Sequence, residues 1–221
     1  MTLVGTPVHR ARLFALGVAA FALAPLSAFG GAQVEEQLAP SVVAGLQRSI
    51  ADNPVPADYA NRADLRVWLD EMSRRLTPKM ADVRTREEFL ATLHYEASRA
   101  GLDPQLVLSV VQIESNFRKY AISKSDARGF MQVMPFWTRL IGTTEHNLFQ
   151  LRTNLRYGCV ILRHYLDVEN GDYFRALGRY NGSLGQAEYP SGVVATMRRT
   201  WHYTSATPTR LGAAAPTATP R

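Results

Sequence analysis

The sequence predicts an all-α fold with little or no sheet. Three observations carry that reading. Apolar residues recur at helical spacing in one segment after another. Proline, aspartate, glycine and asparagine stand where helices start and stop. No useful length of apolar–polar alternation appears, so nothing reads as a half-buried strand. The chain has 221 residues, 46% hydrophobic and 20% charged, which suits one globular domain with an appendage.

The elements follow in chain order. Pro40 opens a helix with Val43, Leu46 and Ile50 on one side. Asn53-Pro54-Val55-Pro56 breaks it, because a residue before proline avoids the helical region. A second helix carries the stripe Leu65, Trp68, Leu69, Met72 and Leu76, and Thr77-Pro78 ends it. Thr85-Arg86-Glu87-Glu88 reads as a capping box ahead of Phe89, Leu93 and Ala97. Gly101 is expected as a left-handed cap, and Asp103-Pro104 starts the next helix with an N-cap and a first-position proline. That helix carries Val107, Val110, Val111 and Glu114 on adjoining positions. Gly129 to Met134 reads as the start of a short helix, with a turn or second helical stretch from Pro135. Asn154 to Val168 is a longer helix with Leu155, Gly158, Leu162 and Tyr165 inward, closed by Asn170-Gly171. Tyr173 to Tyr180 follows, ended by Asn181-Gly182. After Ser191 a last helix carries Val194, Met197 and Trp201.

The termini read differently. Arg10 and Arg12 precede the apolar run Leu13 to Leu26, and small residues follow. This is the pattern of a secretory signal over residues 1–32, with cleavage expected after Gly30 or Ala32. The run is short for a permanent span, so no stable membrane anchor is expected after cleavage. From 204 to 221 the chain is rich in Ala, Thr and Pro, and a disordered tail is expected. Between them, residues 33–84 form an N-terminal helical segment and 85–203 the main domain. The formal charge is +6, of which the first 32 residues supply two, so the rest modestly favours anionic polymers. Cys159 is the sole cysteine, which excludes an intrachain disulfide, and its apolar neighbours mark it as a buried, inert thiol.

Glu114 is the residue with chemical promise. It ends a strongly apolar helix, where desolvation and the helix C-terminal dipole both disfavour a carboxylate. An ordinary glutamate ionises near ~4.3. One that stays protonated at neutral pH can serve as a general acid. The run Glu114-Ser115-Asn116-Phe117, then Gly129-Phe130-Met131-Gln132-Val133-Met134-Pro135, then Tyr180-Asn181-Gly182-Ser183, resembles the soluble lytic transglycosylase family. The likeness covers roughly Thr85 to Tyr203. It implies a lysozyme-like catalytic domain that cleaves the MurNAc–GlcNAc β-1,4 bond of peptidoglycan and leaves 1,6-anhydromuropeptides. It further implies that Glu114 is the single catalytic acid. Ser123, Met131, Gln132, Tyr180 and Asn181 would line the sugar-binding cleft, with the Tyr180 hydroxyl close to Glu114.

Two departures fall beside those positions. Arg179 and Ser183 flank Tyr-Asn-Gly where the family often has Ala and Gly, and Phe130 stands where it often has Leu. Of the acids between Glu114 and Asn181, Asp126 is nearest, but it lies in the polar loop Ser123-Lys124-Ser125-Asp126 and reads as a solvated loop acid. No second carboxylate is therefore placed for glycosidase chemistry. No metal and no cofactor are expected: His94, His146, His164 and His202 are scattered, and no glycine-rich phosphate loop appears. The expected partner is peptidoglycan in the periplasm, with residues 33–84 a candidate surface for cell-wall or secretion-machine proteins, and no nucleic acid. A goose-type lysozyme-like hydrolase, a non-catalytic peptidoglycan-binding module and a specialised enzyme of a secretion or conjugation machine remain the alternatives.

Overall fold

The computed structural model describes residues 33–51 and 54–204. The expected signal (1–32) and tail (204–221) lie outside the described residues, apart from residue 204. Eight α-helices account for most of the described chain: α1 Pro40–Ile50, α2 Ala63–Leu76, α3 Val83–Arg99, α4 Pro104–Ser115, α5 Phe136–Ile141, α6 Leu151–Val168, α7 Tyr173–Asn181 and α8 Glu188–Thr196. A 3-10 turn (Tyr59–Asn61) precedes α2, and a π-helical turn (Met197–Trp201) extends α8. No sheet forms among the described residues; two isolated bridges, Ile122 with Arg128 and Arg128 with Val133, are the only β pairing. The all-α expectation holds, and no described helix is long and apolar enough to cross a membrane.

α4 is the central element. Leu106, Val107, Leu108, Val110 and Val111 are all buried, so the helix is apolar nearly all round and is enclosed by α3, α8 and the π-turn. Its start is as read: Asp103 accepts from Gln105 N at 2.8 Å and Pro104 takes the first turn. α3 starts earlier than the capping box implied. Asp82 is the N-cap, and its carboxylate takes both the backbone N–H and the hydroxyl of Thr85. A carboxylate satisfies the free first-turn donors better than a threonine hydroxyl, so it fixes the boundary.

The N-terminal helices share the buried core of the main domain. α1 packs on α5 and α6 through Leu46 and Ile50, and α2 packs its whole expected stripe on α3. A buried ion pair ties three helices. Arg156 of α6 reaches Glu96 of α3 at 2.9 Å, their side chains 6% and 1% exposed. The same guanidinium donates to the carbonyls of Ile50 and Ala51 at the end of α1. A charge at that depth persists only when its donors are shared out in this way.

The expected helix over Gly129–Met134 does not form. Gly129 (φ 76°) and Gln132 (φ 49°) are left-handed, and the segment is a compact turn. Its shape is imposed from α6. Asn154, fully buried, accepts from Met131 N at 2.8 Å and donates to the carbonyls of Arg128 and Leu148, each at 2.8 Å. A Cβ at Gly129 would come within 2.4 Å of the Asn154 amide, so both φ and space demand glycine. α8 begins at Glu188 rather than after Ser191, because Pro190 falls in its first turn, where no N–H is required.

Asn154→Ala removes partners from three buried backbone groups at ~1–3 kcal/mol each before relaxation. The expected loss of unfolding free energy in urea is roughly 3–5 kcal/mol. A loss below ~1 kcal/mol would show that water replaces the amide and that the turn does not rest on it.

Candidate active site

The site is built where α4 ends. Asn116 caps the helix in the left-handed region (φ 49°), and Phe117 follows it there (φ 64°). Asparagine tolerates that region, but a phenylalanine in it costs roughly 1–3 kcal/mol. The turn is held because the Phe117 ring is buried edge-on against Phe89 and Trp201, at 5.8 and 5.6 Å between centroids. Trp201 is itself fixed to α4 by its indole N–H, which donates to Gln112 Oε1 at 2.8 Å.

Glu114 stands just before this reversal, partly exposed. Burial pushes its carboxyl up to about 7, against the opposing hydrogen bonds of Tyr189 and Asn181. Desolvation alone therefore sets the direction, and no neighbouring charge contributes. The Tyr189 hydroxyl donates to Glu114 Oε1 at 2.6 Å. Asn181, buried at the end of α7, hydrogen-bonds the same carboxyl. The result is an acid that holds its proton near neutrality, oriented by a phenol and an amide.

The phenol is not the expected one. The hydroxyl of Tyr180, 1% exposed, donates to Met131 O at 2.8 Å, and the tyrosine that reaches Glu114 is Tyr189. Tyr189 falls before Ser191, where the last helix was expected to begin, and so lay outside any expected element. Met131 is likewise buried, at 0%, its sulfur packed over Gly158, where a Cβ would lie 2.3 Å from Sδ. Met131 and Tyr180 are thus both buried, and the charge of Glu114 adds to burial in raising the Tyr180 phenol. Gln132 is 8% exposed and its amide nitrogen donates to the carbonyls of Ala121 and Gly129. Ser123 accepts from the backbone of Ser125 and Ala127, closing its own loop. Of the residues singled out in the sequence, only Asn181 meets Glu114 directly.

Gln33, not among the candidate residues, is buried against Trp137 and Tyr180. It is 5% exposed, and its amide oxygen accepts from Trp137 Nε1 at 2.9 Å and Met134 N at 3.4 Å. Nothing in its local sequence marks it. Asp126 is paired with Arg128 at 3.0 Å on the loop surface, as a solvated acid should be. Among the described residues no group of three or more His, Cys, Asp or Glu is arranged to hold a metal ion. Cavities of about 480 and 500 Å³ lie along α1, and neither is lined by Glu114 or Tyr189.

The described chain is a helical domain with one desolvated, hydrogen-bonded glutamic acid at the end of a buried helix. Residues 92–192 match the Transglycosylase SLT domain. The transglycosylase of Enterobacteria phage PRD1 is 36% identical over 98 residues, 44% of this chain and 36% of the phage protein. A membrane-bound lytic murein transglycosylase C of Photorhabdus laumondii is 36% identical over 86 residues, 35% of this chain and 23% of that protein. The chain thus spans about a third or less of these curated relatives. Among solved structures, an inactive mutant of the lytic transglycosylase Slt from Pseudomonas aeruginosa aligns with 76% of this chain and 35% of its own, at 20% identity and a TM-score of 0.41.

Tyr189→Phe removes a hydrogen bond that favours the ionised carboxyl, so the Glu114 pKa should rise above its value of about 7. Tyr180→Phe should move it far less, since that hydroxyl serves Met131. Carbon-13 NMR titration of labelled glutamate carboxyls reads both. A larger rise in Tyr180→Phe than in Tyr189→Phe would reverse the assignment.

Proposed function

We propose that this protein is an exported peptidoglycan lytic transglycosylase acting through one carboxyl, that of Glu114. The observation that carries the reading is the Glu114 environment: a carboxyl raised to about 7 by burial, held by Tyr189 and Asn181, with no charged partner. In the reaction, Glu114 donates its proton to the glycosidic oxygen between MurNAc and GlcNAc as the C1–O bond breaks. The N-acetyl group of the muramic sugar stabilises the developing cation. The carboxylate then takes the proton of the same sugar's C6 hydroxyl, and O6 bonds to C1. The 1,6-anhydro ring closes, Glu114 is protonated again, and no water is consumed.

The single acid suits this course. Two-carboxylate glycosidases use a second carboxylate to activate water or attack the sugar. A C6 hydroxyl on the reacting sugar needs no such help, because its effective concentration is already high. Asn181 orients the Glu114 carboxyl, while Gln132 and Ser123 hold the backbone of the 121–129 loop. Residues 1–32 would deliver the domain to the periplasm, and residues 33–84 would brace it.

Glu114→Gln should fold normally by circular dichroism and lose at least ~100-fold in turbidity clearing of purified sacculi, the usual scale for a lost general acid. Activity of the native protein should fall as pH rises through about 7, because ionised Glu114 has no proton to give. Retention of a tenth of the activity in Glu114→Gln would place the acid elsewhere, with Asp126 next in line.

A further inference from the structure

Gln33 is a buried amide in a segment, 33–39, that forms no helix of its own. Burying an amide is costly unless its polar atoms find partners. Its oxygen accepts from the indole N–H of Trp137 at 2.9 Å and from Met134 N at 3.4 Å. An indole N–H can only donate, so it fixes the amide with the oxygen toward Trp137 and the NH2 group turned away. That NH2 group hydrogen-bonds the phenol oxygen of Tyr180. The segment is also tied at its surface, by Glu35 to Arg139 at 3.8 Å and by Glu36 to Arg179 at 3.4 Å. Solvated pairs of that length hold little, so the buried amide is the anchor.

The anchor decides which way the Tyr180 hydroxyl points. Tyr180 has one proton to give, and Met131 O takes it at 2.8 Å. Gln33 N–H, Tyr180 O–H and Met131 O thus form one relay, in which each hydrogen bond polarises the next. Met131 is held from its other side, its N–H donating to Asn154 at 2.8 Å, so the acceptor stays in place. The rival acceptor is Glu114, whose charge the Tyr180 phenol feels. A charge-assisted hydrogen bond is roughly twice as strong as a neutral one, so an ionised Glu114 would draw the proton from the Met131 carbonyl once the relay is broken. The other titratable groups facing these two residues are Cys159 and Tyr165 of α6 and Tyr189 of α8. Burial pushes all three up, so none carries a charge near neutral pH.

We infer that Gln33 is a positioning residue: it holds the Tyr180 hydroxyl on Met131 O and off Glu114, so that Tyr189 and Asn181 alone orient the acid. The inference rests on the proposed role of Glu114 as general acid and deepens it. A second phenol on the carboxyl would favour its ionised form, and an ionised Glu114 has no proton to give.

The test replaces Gln33 in the full chain by methionine, which has no N–H to donate from its side chain. Carbon-13 titration of labelled glutamate carboxyls should show the Glu114 pKa in Gln33→Met falling below its value of about 7. Digestion of sacculi at about pH 8 should slow roughly three- to tenfold, and the deficit should narrow as the pH drops through neutrality. In Tyr180→Phe/Gln33→Met the Glu114 titration should match that of Tyr180→Phe alone, because no hydroxyl is left to turn. An unmoved Glu114 titration in Gln33→Met, with only the unfolding midpoint lowered, overturns the inference and makes Gln33 a fold anchor. An equal fall in the Tyr180→Phe background also overturns it, as an effect that bypasses Tyr180. If the methionine variant does not fold, Gln33→Asn keeps an amide but is one methylene shorter, and the same two outcomes decide. A native chain that cuts no sacculi counts against the proposed reaction, and the titration still reads the role of Gln33.

Discussion

Asn154 is the residue on which the geometry of the site depends. Its three hydrogen bonds fix the turn over 128–133, and that turn presents Met131 O to the Tyr180 hydroxyl. Tyr180 in turn seats the end of α7, where Asn181 meets Glu114. The chain of contacts therefore runs from the first turn of α6 to the acid through buried groups. Gly158 completes it from below, since only a residue without a Cβ lets Met131 sit against α6. A single buried amide can carry this much because each backbone group it satisfies would otherwise be costly to bury.

The same economy governs Glu114. An acid raised to about 7 destabilises the ionised folded protein, and at neutral pH the fold bears that cost. The backbone reversal at Asn116 and Phe117 adds strain beside it. Both are sustained by the apolar mass around α4 and by Phe117 locked between Phe89 and Trp201. Strain and a perturbed carboxyl thus coincide at one place in the fold, a combination that clusters at functional sites.

Much of the fold was legible because it depends on local chemistry. Asp103-Pro104 starts α4, Gly101 (φ 65°) ends the turn before it, and the α2 stripe is buried residue for residue. Glu114 was legible for the same reason, as a carboxyl at the end of an apolar helix. What escaped is set by residues far apart in the chain. The 128–133 turn takes its shape from Asn154, more than twenty positions away. Tyr189 lies 75 residues from Glu114, in the first turn of α8 just before Pro190. Gln33 reaches Trp137 across 104 residues, and the Arg156–Glu96 pair closes over 60. Met131 and Tyr180 are buried, with the Tyr180 hydroxyl on Met131 O and near enough to Glu114 to feel its charge, a placement that a sequence motif alone does not give.

These features converge on one claim: a lone carboxyl acts as acid and then as base, and the substrate's own hydroxyl takes the place of water. The most direct measurement is digestion of purified sacculi by the native protein in oxygen-18 water, with mass spectrometry of the released muropeptides. Closure of the 1,6-anhydro ring predicts products one water lighter than reducing-end fragments and free of oxygen-18 at C1. Reducing-end products carrying the label would contradict the account and assign the site to a hydrolase.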